Sequence, residues 1–323
     1  MSRIDGPSTQ VPADTSRILV TGGTGFVGRS LVNELVAGGS SVRILSRGET
    51  TSEHPRISVC RGDLTSPRDL QAAMQGCVAV FHCAAEKTNE DVMTAVNVTA
   101  TKRLLDLATD LRVRYFCHLS SVGVIGRTRL KLVDETAECN PTNRYEATKL
   151  AAEEIVREGL GEGRVVILRP TNVFGADTLR SMLQKSLRSR FRAFLKGNEC
   201  AHLVYIKDVV AAAVCWMHAP ADGSVETFII SSDEESGNAH RDIQALLASR
   251  IDTAPHPCGV SAPISVPYLA RRFRHGKTNY GDVLYSSRKI SRAGFSFPFG
   301  LKAGLNDALN ALLESRIVRG DPG

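Results

Sequence analysis

Short apolar runs alternate with segments of helical periodicity along much of the chain. Ile18 to Val20 is typical of a buried strand, and the apolar residues after it recur at the three- and four-residue spacing of a helix. Further strands are predicted at 41–46, 57–60, 79–82, 115–120 and 165–168, and helices at 66–74, 91–111 and 144–158. Strands that alternate with helices predict a parallel sheet covered on both faces.

The first predicted strand runs directly into three glycines spaced three residues apart. Gly22 can adopt a backbone angle that other residues resist, Gly25 leaves room for a phosphate, and Gly28 lets the next helix pack closely on the strand. The first N–H groups of that helix, which begins near Phe26 and Val27, then face the anion. A strand, a glycine turn and a helix in this order predict a dinucleotide-binding site.

These patterns predict an α/β fold, a Rossmann-type doubly wound parallel sheet with a smaller C-terminal substrate lobe. Residues 1–16 have no apolar core and are expected to form a disordered tail. We assign residues 17–175 to the dinucleotide-binding domain, and residues 203–232 return to it. Residues 176–202 and 233–323 are expected to form the substrate lobe over the cleft.

The composition and charge of the chain limit the classes of molecule that it is expected to bind. The 42% hydrophobic and 23% charged residues are ordinary for a globular protein, and no run approaches the roughly 18 apolar residues of a membrane span. The net charge of +6 is scattered among 34 acidic residues without an aromatic–basic motif, which favours an anionic small molecule over nucleic acid. The 8 cysteines show no C-x-x-C spacing, so we expect free thiols in a reducing cytoplasm and no metal site.

Tyr145 and Lys149 form a second chemical feature. Residues four apart share one face of a helix, so the phenol and the ammonium can point into the same cleft. A nearby cation favours the phenolate and lowers the pKa of a tyrosine from about 10 toward neutral pH. This spacing alone is a common surface pairing. Ser121, however, follows a strand predicted to end in the same crevice, where its hydroxyl can hydrogen-bond a substrate oxygen.

Several segments in order resemble the extended branch of the short-chain dehydrogenase/reductase superfamily, also called the NAD-dependent epimerase/dehydratase family. They look like its cofactor loop (21–28), the acidic turn that meets the adenine (62–64), the motif lining the cofactor cleft (82–85), the segment ending the sixth strand (168–175) and a later aspartate motif (204–210). Asn97 matches an asparagine usual in the helix after the cleft motif, and Ser121, Tyr145 and Lys149 match the catalytic residues.

The resemblance implies hydride transfer between a nicotinamide cofactor and a carbonyl or alcohol carbon. Tyr145 would exchange the proton, Ser121 would hold the substrate oxygen, and Lys149 would lower the pKa of the tyrosine and hydrogen-bond the nicotinamide ribose. Ser120 would then be structural. The resemblance also suggests a homodimer formed through helices 91–111 and 144–158. The residues expected to contact the cofactor are Gly22, Gly25, Phe26, Val27, Gly28, Ser46, Arg47, Asp63, Leu64, Cys83, Ala84, Ala85, Asn97, Tyr145, Lys149 and Pro170.

Departures from the family pattern bear on the substrate. Family members that dehydrate nucleotide sugars carry an Asp-Glu pair after the catalytic hydroxyl, whereas Val122 and Gly123 stand here, which argues against a 4,6-dehydratase. Residues 200–203 lack the arginine with which many epimerases clamp a diphosphate. Arg271 and Arg272 are candidates to replace it, although a solvated basic surface explains such residues equally well.

Three functions stay open. Asn172 stands where the epimerases place an asparagine near the sugar diphosphate, and residues 82–87 followed closely by 96–101 resemble bacterial members associated with surface-polysaccharide sugars. We therefore rank a nucleotide-sugar reductase or epimerase first and an NADPH-dependent reductase of a hydrophobic, sterol-like or flavonoid-like ketone second. A non-catalytic NADP-sensing regulator ranks third, because such proteins usually lose the tyrosine or the lysine.

The end of the second strand predicts the cofactor. Enzymes that select NAD usually place Asp or Glu there for the ribose 2′-hydroxyl, whereas Arg suits a 2′-phosphate. Here the strand ends in Ser46 and Arg47, and no carboxylate occurs before Glu49. We predict a preference for NADP(H), with NAD possible if Glu49 or Asp63 takes the ribose.

Overall fold

A computed structural model describes residues 17–182, 195–251 and 283–319, together with positions 262, 263, 265 and 269. The strands in this part of the chain are β1 (Arg17–Thr21), β2 (Ser41–Ser46), β3 (Ile57–Arg61), β4 (Cys77–His82), β5 (Tyr115–Leu119), β6 (Leu132–Val133), β7 (Arg164–Pro170), β8 (Asn172–Phe174), β9 (Leu203–Tyr205), β10 (Val225–Ile230) and β11 (Leu284–Tyr285). The tail expected at residues 1–16 lies outside the described residues.

The helices lie between these strands and at the C-terminal end of the described chain. They are α1 (Phe26–Ala37), α2 (Pro67–Met74), α3 (Glu90–Thr94), α4 (Ala100–Asp110), α5 (Arg144–Val156), α6 (Ala176–Met182), α7 (Ile206–Val214), α8 (His240–Arg250), α9 (Arg288–Arg292) and α10 (Gly300–Arg319). A π turn, Ala95–Thr99, joins α3 to α4, so the helix predicted at 91–111 contains a widened turn. A short 3₁₀ turn, Val122–Ile125, follows β5.

Seven parallel strands form the central sheet in the order β10-β7-β5-β4-β1-β2-β3. The chain moves outward from β1 through β2 to β3 and then returns to β4 on the other side of β1. This reversal creates a crevice at the carboxyl ends of β1 and β4, where ligands bind in open sheets of this kind. The arrangement confirms the predicted doubly wound α/β fold.

Apolar residues that alternate along the strands build a core on each face of the sheet. In β1, Ile18 and Val20 pack into one core, whereas Leu19 packs into the other. A third core around Phe174 and Leu305 joins α6, β9, α8 and α10 beyond the sheet. None of the helices in the described part of the chain combines the length and apolar character that a membrane crossing requires.

Polar side chains fix where the helices near the crevice begin. Ser66 caps α2 by accepting a hydrogen bond from the Asp69 N–H at 3.3 Å, and Pro67 occupies the first turn, where its missing N–H costs nothing. Asn143 caps α5 in the same way through the Glu146 N–H at 2.9 Å. The cap on α5 sets the start of the helix that carries Tyr145 and Lys149.

Candidate functional site

A cleft of about 980 Å³ opens at the carboxyl ends of the central strands. Loops that are distant in sequence form its walls, as expected at this edge of a doubly wound sheet. The predicted site residues that line it are Gly22, Gly25, Phe26, Val27, Gly28, Ser46, Arg47, Asp63, Leu64, Cys83, Ala84, Ala85, Ser121, Tyr145, Pro170 and Asn172. Arg271 and Arg272 lie outside the described residues.

The glycine turn is held closed by close backbone packing. Gly22 has a φ of +69°, and a Cβ there would lie 2.7 Å from the Ala84 nitrogen. A Cβ on Gly28 would lie only 2.1 Å from the Gly22 carbonyl oxygen. Gly25 differs, because its Cβ would meet only that same oxygen, at 3.2 Å. The fold itself therefore requires glycine at positions 22 and 28, whereas a Cβ at position 25, beside the start of α1, would require only a small shift of the Gly22 oxygen.

The carboxylates near the end of β2 have partners of their own. Glu49 lies 3.6 Å from the Arg61 guanidinium in an exposed ion pair. The Asp63 carboxylate accepts hydrogen bonds from the backbone N–H and the hydroxyl of Thr65 at 2.7 and 2.6 Å, which hold its pKa below the ordinary value. Arg47 lines the cleft between these groups.

The two serines after β5 occupy different environments. Ser121 begins the 3₁₀ turn, where its Oγ accepts the Gly123 N–H at 3.0 Å and lines the cleft. Ser120 also lines the cleft, but its hydroxyl donates to Oε1 of the buried Glu153 at 2.5 Å. This engagement of the Ser120 proton supports Ser121 as the hydroxyl available to a ligand.

Tyr145 and Lys149 share a face of α5 but lie at different depths. Tyr145 lines the cleft, and burial together with the Glu146 carboxylate raises its pKa, opposite to the direction expected from a neighbouring lysine. Lys149 is 2% exposed and lies beneath the cleft, where Nζ donates to the Leu119 carbonyl at 2.7 Å and lies 3.1 Å from Nε2 of His118. Burial lowers the pKa of Lys149 to about 8. The lysine is thus held by the carbonyl of Leu119, a residue that lines the cleft, and by the buried His118.

Asn97 does not line the cleft, unlike the other predicted cofactor residues of its region. It is buried in the π turn, and its Nδ2 donates to the Glu86 carbonyl at 2.9 Å and to Oγ1 of Thr148 at 3.0 Å. Its Oδ1 accepts the Glu86 N–H at 2.7 Å. Asn97 therefore ties the loop after β4 to α5, and any effect on a cofactor would pass through that loop.

A buried ion pair that sequence reasoning missed lies under the serines. Glu153 is fully buried on the same face of α5 as Lys149, and Nε and Nη2 of Arg169 donate to it at 3.0 and 2.7 Å. Arg157 adds a hydrogen bond at 2.8 Å from the helix surface. The only hint in the sequence is the four-residue spacing of Tyr145, Lys149 and Glu153.

Cys200, His202 and Asp233 form a group whose ligand atoms lie within 4.8 Å of one another and could hold a metal ion. Nδ1 of His202 lies 2.5 Å from Oδ2 of Asp233, which also accepts the Tyr285 N–H at 3.0 Å. The carboxylate therefore already joins β11 to the segment before β9, a structural task that needs no ion.

Comparison with known proteins agrees with this geometry. Residues 18–231 match the model of the NAD dependent epimerase/dehydratase family. The chain is 34% identical over 189 residues to a 4-hydroxy-2-methyl-3-oxo-4-farnesyl-3,4-dihydroquinoline-1-oxide ketoreductase of Stigmatella aurantiaca, an alignment that covers 54% of this chain and 57% of the relative. It is 32% identical over 201 residues to a 3 beta-hydroxysteroid dehydrogenase/Delta 5-->4-isomerase of Mycobacterium tuberculosis, covering 57% and 53%. The chain thus spans little more than half the length of these two relatives.

One similar solved structure is MoeE5 in complex with UDP-glucuronic acid and NAD. It superimposes with a TM-score of 0.72 at 25% sequence identity and covers 93% of this chain and 100% of MoeE5. Because the match covers 93% of this chain, the structural likeness extends beyond the central sheet.

Proposed function

Because the chain belongs to the NAD-dependent epimerase/dehydratase family, we propose that its cleft transfers a hydride between a nicotinamide cofactor and a carbonyl or alcohol carbon. One observation carries the proposal: Ser121 and Tyr145 line the same cleft as the glycine turn, and Lys149 lies one helical turn behind the tyrosine. The two hydroxyls can therefore face a substrate that shares the cleft with a dinucleotide.

The described residues fit a dinucleotide. A Cβ at position 25 would meet the Gly22 carbonyl oxygen alone, at 3.2 Å, beside the first turn of α1, where the helix N–H groups favour a pyrophosphate. The bound nicotinamide would supply or accept the hydride. Tyr145 would give a proton to the substrate oxygen during reduction, and Ser121 would orient that oxygen by a hydrogen bond. The Lys149 ammonium would reach the ribose and stabilise the phenolate left on Tyr145.

For the cofactor, we propose a preference for NADP(H) over NAD(H). Glu49, one carboxylate that could take a ribose 2′-hydroxyl, pairs with Arg61, and Asp63 already accepts two hydrogen bonds from Thr65. Ser46 and Arg47 line the cleft and can bind a 2′-phosphate through a hydroxyl and a guanidinium. NAD remains the alternative, since it is bound in the MoeE5 structure.

For the substrate, we propose a hydrophobic ketone, the class that ranks second on the sequence alone. Support comes from the ketoreductase and the hydroxysteroid dehydrogenase, which are 34% and 32% identical to this chain. The segment 200–203 also offers Cys200 and His202 where many epimerases carry an arginine for a diphosphate. A reductase of this kind needs no diphosphate clamp.

A nucleotide sugar is the second candidate, and Asn172 favours it. Its side chain is exposed at the cleft, and its Nδ2 donates to the Ala201 carbonyl at 2.9 Å, which leaves Oδ1 to face a ligand. The UDP-glucuronic acid bound to MoeE5 gives the same substrate class a structural precedent.

The test uses two panels. Polycyclic and aromatic ketones are offered with NADPH and followed by oxidation of the cofactor, and UDP- and dTDP-sugars are offered with NAD⁺ or NADP⁺ and followed by reduction of the cofactor and by separation of the sugar epimers. Tyr145→Phe serves as the control for turnover at this site. Turnover confined to the ketones supports the reductase, and epimerisation or oxidation confined to the nucleotide sugars supports the second candidate. Tight cofactor binding without turnover on either panel would favour the sensor hypothesis over both.

A further inference from the structure

Two buried histidines lie side by side below the cleft. His82 on β4 and His118 on β5 are at most 1% exposed, and their ring centroids are 5.2 Å apart. Burial lowers the pKa of His82 to about 3 and that of His118 well below its ordinary value, and the Lys149 charge acts in the same direction. Both rings are therefore neutral, and each has one N–H donor and one acceptor nitrogen.

The hydrogen bonds of His82 determine which of its nitrogens carries the proton. The Thr101 hydroxyl donates to the Asn97 carbonyl at 2.7 Å, so its oxygen accepts from Nε2 of His82 at 2.8 Å. Nδ1 of His82 is then the acceptor, and the Thr21 hydroxyl donates to it at 2.7 Å. His82 is fully satisfied by neighbouring hydroxyls and needs nothing from Lys149.

His118 is satisfied on one side only. Its Nδ1 has no hydrogen-bond partner in the described part of the chain, whereas its Nε2 lies 3.1 Å from Nζ of Lys149. A buried polar group without a partner destabilises a fold, and an apolar side chain at this position would avoid that cost. The imidazole is thus best explained by what its Nε2 does for the lysine.

We propose that His118 is a positioning residue whose Nε2 accepts a hydrogen bond from Lys149 and, with the Leu119 carbonyl, keeps the lysine charged and aligned beneath Tyr145. This rests on the proposed function, in which the Lys149 ammonium contacts the cofactor ribose. An acceptor at Nζ favours the ammonium over the neutral amine.

The other groups around Lys149 act in opposing directions. Glu153, one turn further along α5, favours the ammonium, whereas burial and the positive charge of Lys87 oppose it. The Cys83 thiol, after β4, is neutral because burial raises its pKa to about 12. The pKa of Lys149 is about 8. Loss of one acceptor would therefore change its charge within an accessible pH range.

The experiment measures cofactor affinity against pH in a Tyr145→Phe background, where the phenol cannot titrate. NADPH binding is followed by its fluorescence between about pH 7 and 10 in the parent, His118→Leu and His118→Gln proteins. Gln places an amide oxygen near the position of Nε2 and should restore the hydrogen bond. Cys117→Ala is the matched control, since Cys117 is buried next to His118 on the same strand but packs into the core on the other face of the sheet.

We expect affinity to fall as pH rises through the pKa of Lys149, because the charged form binds. His118→Leu should move that fall to lower pH by about one unit, which is roughly tenfold weaker binding at a fixed pH above the transition. His118→Gln should keep the parent profile, and Cys117→Ala should keep it despite a lower melting temperature.

A uniform loss of affinity at every pH in His118→Leu, or an unchanged profile, would overturn the proposal. Should His118→Leu fail to fold, His118→Asn replaces it, because its amide is too short to reach Nζ and should move the profile in the same way. Lys149→Met in the same background separates the two hypotheses. If it neither weakens binding nor removes the pH dependence, the role of Lys149 in the proposed function is wrong, whatever His118 does.

Discussion

Gly28→Ala tests whether the glycine turn is set by backbone packing. The added Cβ would lie 2.1 Å from the Gly22 carbonyl oxygen, 2.8 Å from the Gly22 carbonyl carbon and 2.9 Å from Cα of Gly23. Contacts below 3.0 Å essentially do not occur, so the atoms must separate by about 0.9 Å. All three atoms belong to the backbone, which cannot turn aside as a side chain can. Either α1 or the turn after β1 must move.

The magnitude follows from two opposing effects. Forcing an extra methyl group into a packed site costs about 1–3 kcal/mol, and the rigid neighbours put Gly28→Ala at the upper end. Alanine also gains about 1 kcal/mol over glycine inside a helix. The net loss is about 2 kcal/mol, which lowers the melting temperature of a chain of this size by roughly 3 °C. Movement of the turn should also weaken NADPH binding.

Gly38→Ala is the matched control at the other end of α1. Its Cβ would meet the Glu34 oxygen at 3.4 Å, an ordinary contact, and its φ of −73° suits any residue. Melting temperature and NADPH affinity are measured for both variants. If Gly28→Ala has the same melting temperature as Gly38→Ala and binds NADPH equally well, the packing argument for the turn is wrong.

Four further predictions use the same protein. Tyr145→Phe should keep NADPH affinity but lose most turnover with an identified substrate, and a near wild-type rate would exclude it as the proton donor. Arg47→Ala should weaken NADPH much more than NADH in fluorescence titrations; equal losses would refute the 2′-phosphate assignment. Glu153→Ala should cost about 3–5 kcal/mol in urea unfolding because it leaves Arg169 buried without its counter-charge, a reasoning that a loss below about 1 kcal/mol would contradict. Gly25→Val should fold, since its Cβ would meet a single backbone oxygen at 3.2 Å, yet not bind NADPH; tight binding would place the pyrophosphate elsewhere.

Local sequence patterns predicted much of the fold. The β2 strand has the predicted bounds, and α2 begins one residue after its expected start because Ser66 serves as the cap. The π turn between α3 and α4 was missed, since the apolar periodicity of residues 91–111 runs through it. Its conformation accompanies the hydrogen bonds of Asn97 to Glu86 and Thr148, which are contacts between separate elements.

In the candidate site, too, features that are local in sequence could be predicted, whereas contacts between separate elements could not. Segments contiguous in sequence, such as the glycine turn and the Tyr145–Lys149 pair, are recognisable from the order of their residues alone. The partners of Lys149 are not, because β5 and α5 meet only in the folded chain. The expected lowering of the pKa of Tyr145 failed for this reason, since nothing in the spacing shows that Nζ turns toward His118 and Leu119.

The face of α5 that carries Tyr145, Lys149 and Glu153 links stability to the proposed chemistry. From the cleft inward, the face passes from a half-buried phenol to a buried amine and then to a fully buried carboxylate. Glu153 is fixed by Arg169 from β7, so the helix is anchored two turns beyond Tyr145. The same carboxylate favours the charged form of Lys149 against the cost of its burial. Glu153 therefore both anchors α5 and supports the positive charge of Lys149. A Glu153 variant that folds should disturb cofactor binding even though residue 153 lies outside the cleft.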